Sequence, residues 1–270
     1  LEGYKDIDGV KIIVFYPVDG VSTVQKLQMA TQTGDNVAVR AIHGNFDDAQ
    51  TGVKTLFADE TPAKELNDRG VFLSSANSIN WGRLVPQIVY YISSYCDMVN
   101  SGDIKEGEDV NICVPTGNFG NIFAAYIAKI MGLPVNRFIC ASNNILTDFI
   151  TTGTYDRNRA FHTTMSPSMD ILISSNLERL LYVIAGDKKT AQYMKELNTN
   201  GVYTVDAETK EKVLSNFSGY FCAEEDTAKT IKETFDNYKY LIDTHTAVAV
   251  KCANEYMAET GDTRKIIVAS

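Results

Sequence analysis

The sequence predicts an α/β protein in which parallel sheets are flanked by helices and which divides into two subdomains. Apolar strand patterns alternate with helical patterns along the chain, an order typical of parallel strands joined by covering helices. The 270 residues are 44% hydrophobic, which suffices for a sizeable core. One apolar strand also leads through a glycine-containing loop into an amphipathic helix, at residues 110–129.

The first block of the chain, residues 1–73, alternates strands and helices. In chain order, the predicted elements are a strand at 10–16, a helix at 24–33, a strand at 37–42 and a helix at 47–57. Pro17 ends the first strand pattern, and Gly34 ends the first helical one. This order predicts a small domain with parallel strands.

The second block, residues 74–270, is larger. In chain order, its predicted elements are a helix at 81–99, a strand at 111–114, a helix at 121–131 and a strand at 137–141. Residues 147–170 are polar and aromatic, and we expect a flexible loop there. Residues 188–240 are rich in Lys, Glu, Asp and Thr, and their helical period predicts a mostly helical, solvated insertion.

The loop after the strand at residues 111–114 is a candidate phosphate site. It consists of Gly117, Asn118, Phe119, Gly120 and Asn121. Backbone NH groups at the start of a helix lack internal acceptors and carry the positive end of the helix dipole, and glycines let an anion approach closely. The glycine spacing matches neither the P-loop nor the dinucleotide fingerprint. The alternative is a tight turn with glycines for packing.

A second polar cluster precedes the helix at residues 81–99. It consists of Asn77, Ser78, Asn80 and Arg83. Arginine offers a fork of donors that suits a tetrahedral anion. The alternative is that Asn77 and Ser78 cap the helix while Arg83 forms a surface ion pair.

Two further asparagines, Asn143 and Asn144, follow the strand at residues 137–141. Ligands gather at the carboxyl ends of strands in open α/β sheets, so these side chains are candidates for a ligand contact. A simple turn explains them equally well.

Composition excludes several classes of function. The net charge of −9 and the pI near 4.9 argue against a nucleic-acid partner, because a phosphate backbone would be repelled. No apolar run approaches the ~20 residues that a bilayer-spanning helix needs, and no signal peptide opens the chain. We therefore expect no membrane partner and a cytoplasmic location, although an organellar matrix fits as well.

The cysteines and histidines form no metal-ligand pattern. The five cysteines are odd in number and lack a CxxC pair, so we expect reduced core residues. The three histidines lie far apart without carboxylate or cysteine companions at ligand spacing, so we expect no metal site.

Two segments together resemble the threonine synthase family, pyridoxal-phosphate (PLP) enzymes of fold type II. They are Ser-Ala-Asn-Ser-Ile-Asn-x-x-Arg at residues 75–83 and Pro-Thr-Gly-Asn-Phe-Gly-Asn at residues 115–121. Further segments fall in the family's order, at residues 15–17, 24–28, 43–48, 131–138, 141–144, 166–170 and 245–248. The resemblance covers nearly the whole chain.

The resemblance implies a function for each polar cluster. Residues 117–121 match the loop that binds the phosphate of PLP. The family converts O-phosphohomoserine and water to threonine and phosphate, so a second phosphate site is required, and Ser78, Asn80 and Arg83 are the candidate substrate-binding residues. Residues 74–270 would then form the larger, PLP-binding domain, and residues 1–73 the remainder of the smaller one.

The resemblance also implies parts that this chain lacks. The family holds PLP as a Schiff base on a lysine in a Phe-Lys-Asp motif, followed by a Ser-Gly-Asp-Thr-Gly turn, and neither occurs here. The family continues beyond a segment like residues 267–270 into Thr-Ala-Ser-Pro, whose hydroxyl faces the pyridine nitrogen. We therefore expect a fragment, cut on both sides and inactive alone, with its catalytic lysine unknown.

The segment at residues 245–248 departs from the family in one respect. Thr244 stands where the family commonly has proline before His-Thr-Ala-Val, which leaves the local backbone open. His245 resembles a family histidine, which could serve as a proton relay or be a buried hydrogen-bonded residue.

Two alternatives to threonine synthase stay open. Another fold type II enzyme could carry out β-replacement or a threonine dehydratase-like elimination, although the segment at residues 75–80 argues against this. The chain could also be a scaffold domain without chemistry.

Overall fold

The computed structural model describes residues 1–18, 20–21, 23–77 and 80–270, and only the backbone of residues 46 and 47. The chain forms two compact units, Leu1–Ser74 and Ser75–Ser270. Each has its own sheet or sheets.

In the described part of the first unit, two parallel strands are accompanied by three helices. The elements are β1 (Ile12–Pro17), α1 (Thr23–Ala30), β2 (Val37–Ile42), α2 (Phe46–Ala58) and α3 (Glu60–Asn67). The strands pair in register from Ile12 opposite Val37 onwards. Asn45 and Asp48 form a reciprocal capping box at the start of α2, which explains where that helix begins. The sequence had not predicted α3, which Asp59 caps through the amide of Thr61.

The second unit holds a four-stranded sheet, a small antiparallel pair of strands and eight helices in its described residues. The elements before residue 160 are α4 (Trp81–Ser101), β3 (Val110–Pro115), α5 (Gly120–Ile130), β4 (Val135–Ser142), α6 (Asn144–Thr152) and β5 (Thr154–Asp156). Those after it are α7 (Leu177–Ala185), α8 (Asp187–Asn200), β6 (Val202–Thr204), α9 (Ala207–Asn216), β7 (Phe217–Phe221), α10 (Glu224–Tyr238), α11 (Thr244–Thr260) and β8 (Ile266–Val268). None of the helices in the described ranges is long and apolar enough to cross a membrane.

The four-stranded sheet is parallel, in the order β7-β4-β3-β8. Its central strands are buried on both faces, which explains why their sequences are almost continuously apolar. Along β3, Ile112 and Val114 join the core that includes α4 and α5, while Cys113 joins the core that includes α11. The carboxyl ends of all four strands lie at one edge, where β3 enters the glycine loop.

Two sequence-based expectations need correction. The loop expected at residues 147–170 begins instead in α6 and continues in β5, which pairs antiparallel with β6. Residues 188–240 are mostly helical but also supply β7, a strand of the main sheet that pairs with β4. The pattern missed β7 because its five residues include Ser218 and Gly219, which weaken a strand signal.

All five cysteines are free thiols. Cys113, Cys140 and Cys252 are buried, whereas Cys96 is exposed on α4, so the expectation that all five lie in the core is wrong for Cys96. The described residues contain no group of three or more histidine, cysteine or carboxylate side chains that could hold a metal ion.

Candidate functional site

The glycine loop connects the carboxyl end of β3 to the first turn of α5. The amide of Thr116 bonds the carbonyl of Ala141 on β4 at 2.7 Å, which extends the sheet to the start of the loop. Phe119, the N-cap residue of α5, adopts a left-handed conformation with φ of 61° and offers no capping side-chain acceptor. The buried Phe119 ring packs against Phe217 of β7 and anchors the turn.

Donors from other parts of the second unit hold three successive carbonyl oxygens of the loop. Ser142 Oγ donates to Thr116 O at 2.6 Å, Ser174 Oγ to Gly117 O at 2.7 Å, and Asn176 Nδ2 to Asn118 O at 2.8 Å. The amide of Asn176 donates to the same Asn118 oxygen at 3.0 Å. In a trans peptide, the C=O and the following N–H point in opposite directions. The NH groups of residues 117–119 therefore point away from these donors.

The amides of residues 117–121 have no acceptor among the described residues. Those of Gly120 and Asn121 belong to the first turn of α5, where an α-helix leaves its NH groups unpaired. The helix dipole adds partial positive charge at the same point. The loop is therefore a group of donors, directed away from the anchored carbonyls, of the kind that suits a phosphate.

The short 3-10 turn Pro167–Met169 lies against the loop. Its Ser168 carbonyl fills the space beside Gly117 where a side chain would begin. Asn143 holds this turn in place, because its Nδ2 donates to Met169 O at 3.1 Å and to Ile171 O at 2.8 Å. Its Oδ1 caps α6, so the side chain of Asn143 is an anchor, and Asn144 is simply the first residue of that helix.

His245 contacts the same turn, since its Nε2 and the Ser168 hydroxyl are hydrogen-bonded. Thr244 is the first residue of α11, and Asp243 is its N-cap. Proline is common at a first helical position, so the family's proline and this chain's threonine suit the same backbone. Burial opposes the charge on Asp243, but hydrogen bonds from Thr246 and from the His245 amide outweigh it and lower the pKa of this carboxyl.

The second predicted cluster lies at the start of α4. Asn80 is the N-cap: its Oδ1 accepts from the Gly82 amide at 2.9 Å and its Nδ2 donates to Ser75 O at 2.8 Å. The guanidinium of the exposed Arg83 donates to the carbonyl of Ala76. Ser78 lies outside the described residues. The residue that caps α4 is Asn80 and not Asn77.

The amino ends of α4 and α5 lie side by side. The ring of Trp81, the first residue of α4, packs edge-on against Phe123 of α5, with 6.5 Å between ring centroids. The Tyr91 hydroxyl of α4 donates to Asn121 Oδ1 in the glycine loop. Burial, and then the neighbouring Cys113, raise the pKa of Tyr91, which keeps it a neutral donor. The start of α4 therefore lies near the first turns of α5, and the middle of α4 contacts the glycine loop.

Residues 174–179 also contact the glycine loop, which their sequence does not predict. Ser174 and Asn176 hold the loop carbonyls, and Arg179 Nη1 donates to Asn176 Oδ1 at 2.7 Å. The Arg179 guanidinium also lies 5.8 Å from the Trp81 ring. Burial lowers the pKa of Arg179, although arginine stays charged. The Ser-Ser-Asn sequence before α7 predicts the start of a helix, but it does not predict hydrogen bonds from these residues to the glycine loop.

No family model matches the chain, but individual known proteins do. Human threonine synthase-like 1 is 43% identical over 264 residues, covering 95% of this chain and 35% of the relative. Threonine synthase from Pseudomonas aeruginosa is 39% identical over 259 residues, covering 94% of this chain and 53% of the relative.

A solved structure of a threonine synthase is also similar to this chain. The PLP-bound threonine synthase from Brucella melitensis superposes with a TM-score of 0.84 at 37% identity, covering 99% of this chain and 55% of that one. The chain thus spans about a third to a half of the relatives that it matches. By sequence and by fold, over nearly its whole length, the chain is a relative of the threonine synthases, with the architecture of fold type II.

Proposed function

We propose that the protein carrying this chain binds pyridoxal 5'-phosphate and converts O-phosphohomoserine and water to threonine and phosphate. The observation that carries the proposal is the arrangement of the glycine loop. Its carbonyls are held by Ser142, Ser174 and Asn176, and its amides are directed away without acceptors in the described chain.

The donors and partial charge of the loop support this proposal. A phosphate ester carries negative charge, which the amides and the positive end of the α5 dipole would stabilise. Gly117, Asn118, Phe119, Gly120 and Asn121 are the residues that would hold it. When bound, PLP acts as an electron sink for the substrate. The unit Ser75–Ser270 is accordingly our candidate for the PLP-binding domain.

A second phosphate site, for the substrate, is proposed at the start of α4. Arg83 is exposed and supplies a fork of donors there. Since the Gly82 amide and the Ser75 carbonyl already occupy both polar atoms of Asn80, its contribution would be to orient the helix start. Ser78 stays a candidate from the sequence. Trp81, the first residue of α4, packs on Phe123 near the start of α5, so the two helices supply positive dipole ends that would suit two phosphates.

The 270 residues alone are not expected to turn over substrate. They contain no Phe-Lys-Asp motif, and covalent attachment of the cofactor needs such a lysine. We expect PLP added to this chain alone to be lost on dialysis and to give no lasting imine absorbance. A dialysis-resistant band that borohydride abolishes would contradict this part of the proposal.

A second candidate is another fold type II reaction, either β-replacement or dehydratase-like elimination. The observation in its favour is that the human relative, at 43% identity, is named threonine synthase-like rather than threonine synthase. A non-catalytic scaffold is the remaining alternative, and it predicts that the gene encodes no Phe-Lys-Asp motif.

The deciding experiment compares substrates with the protein expressed in full from its gene. Phosphate release from O-phosphohomoserine, with threonine formed in equal amount, is the expected result. Reaction with O-acetylserine or with threonine instead would favour the second candidate. Absence of both reactions, together with absence of PLP binding, would favour the scaffold.

A further inference from the structure

Asn176 joins the glycine loop to α7. Its side chain is fully buried, and both its amide N and its Nδ2 donate to the carbonyl of Asn118. The peptide that follows this carbonyl carries the NH group of Phe119, which points the opposite way, toward the proposed phosphate. The Asn176 side chain, together with the Asn176 backbone amide, therefore holds the orientation of this peptide.

Arg179 determines which way the Asn176 amide faces. The amide group of asparagine has a donor and an acceptor end of similar shape, so a half-turn would place oxygen against oxygen at Asn118. Arg179 Nη1 donates to Asn176 Oδ1 at 2.7 Å. Because arginine has donors only, it can bond to Asn176 only when the Oδ1 end of the amide faces it. The other end, Nδ2, is then left for the Asn118 carbonyl.

Packing holds Arg179 in turn. It lies three residues after Asn176, in the first turn of α7, and its guanidinium lies 5.8 Å from the ring of Trp81 on α4. A cation over an aromatic face is attracted by the ring. The series Trp81, Arg179, Asn176, Asn118 therefore connects the start of α4 to the glycine loop.

We propose that Arg179 is a positioning residue for the glycine loop: by fixing Asn176 it keeps the Phe119 amide directed at the phosphate of the cofactor. The inference rests on the proposed function, in which that phosphate binds to residues 117–121. Arg179 itself need not touch the phosphate, because it acts through Asn176.

The test measures PLP affinity of the apoprotein expressed in full, by the cofactor's absorbance during titration. Arg179→Met should raise Kd roughly tenfold, the size expected for a hydrogen bond to a charged group. Arg179→Lys keeps one donor and the charge over Trp81, so its increase in Kd should be smaller. The phosphorus NMR shift of bound PLP should move in both variants.

A double variant separates a positioning role from a direct one. If Arg179 acts through Asn176, then Arg179→Met should add little to the loss caused by Asn176→Ala. Equal losses in both backgrounds would show a direct contact and overturn the inference. Arg137→Met is the matched control, because Arg137 donates to the Leu214 carbonyl and lies near the amino end of β4, away from the loop.

The outcomes distinguish the inference from the function on which it rests. If the unaltered apoprotein fails to bind PLP, the proposed function is wrong. If it binds PLP and Arg179→Met binds equally well, the inference alone is wrong. If Arg179→Met fails to fold, Arg179→Lys decides: unchanged affinity and phosphorus shift overturn the inference, and a weakened affinity supports it.

Discussion

The carbonyl oxygen of Ser168 occupies the space that a Cβ on Gly117 would fill. Gly117 does not have the positive φ angle that favours glycine elsewhere in the chain. The close approach of Ser168 is therefore the reason that glycine is needed at this position. The turn Pro167–Met169 and the glycine loop, far apart in sequence, are therefore built as one surface. Substitutions on either side of this contact test the site.

Gly117→Ala should force the Ser168 peptide away from the loop. We expect a destabilisation of about 1–3 kcal/mol, the usual range for overpacking, together with weaker PLP binding. Denaturant unfolding and cofactor titration measure the two effects. Gly52→Ala is the control: a Cβ there meets open space inside α2, so this change should stabilise by roughly 0.5–1 kcal/mol. Wild-type stability in Gly117→Ala would contradict the contact.

Two adjacent buried serines should differ in their effect on cofactor affinity. Ser174 Oγ donates to the Gly117 carbonyl at 2.7 Å, whereas Ser175 Oγ reaches only the Asn118 side chain at 3.4 Å. We expect Ser174→Ala to raise the Kd for PLP by about tenfold, since it leaves a buried carbonyl unpaired. Ser175→Ala should stay close to the wild-type value. Equal effects would show that carbonyl anchoring does not control the loop.

The pair of Ser168 and His245 should be energetically coupled. A double-mutant cycle with Ser168→Ala and His245→Ala, followed by urea unfolding, should give a coupling of about 0.5–1.5 kcal/mol. His162 is exposed, and His162→Ala combined with Ser168→Ala serves as the uncoupled control. Additive effects for His245 would show that its side chain does not hold the turn.

Stability should fall at low pH because of Asp262. Burial raises its pKa, but hydrogen bonds from the Arg264 amide, Asn111 and Tyr256 outweigh burial and bring the pKa below its ordinary value. Since the unfolded pKa is about 3.9, the carboxylate stabilises the fold above that pH, and this contribution is lost as the pH falls through the lower folded-state value.

Asp262→Asn tests this contribution directly. The variant should lose about 2 kcal/mol at pH 7 and show a flatter decline in unfolding free energy below about pH 4. Asp68→Asn, which alters an exposed pair with Lys64, is the control and should leave the profile nearly unchanged. A decline as steep in Asp262→Asn as in the wild type would contradict this role of Asp262.

Thiol modification should follow burial. Cys96 is exposed and should be alkylated first, Cys222 more slowly, and Cys113, Cys140 and Cys252 only after unfolding. Burial raises the pKa of Cys140 to about 12, so almost no thiolate exists there near neutral pH. Peptide mass mapping identifies the labelled sites, and Cys96→Ser should remove the fast phase. Rapid labelling of Cys140 in the folded protein would contradict its burial.

Patterns between neighbouring residues predicted much of the fold. The strand at residues 37–42 coincides with β2, and the helix expected at 81–99 is α4, extended to Ser101. These succeed because strand alternation and helical period arise within one segment. Strand β7 could not be predicted in this way. It pairs with β4, and Phe217 packs on Phe138, so its position involves residues far apart in the chain.

The sequence alone predicted a group of amides suited to a phosphate after β3, because the glycines, the helix start and its dipole all lie within residues 115–121. Only the tertiary structure decided how those amides are aimed. Ser142, Ser174 and Asn176 hold the carbonyls from other segments, and Arg179 holds Asn176. Hydrogen bonds between distant segments leave no periodic pattern in a sequence, so these residues become recognisable only when the chain is folded.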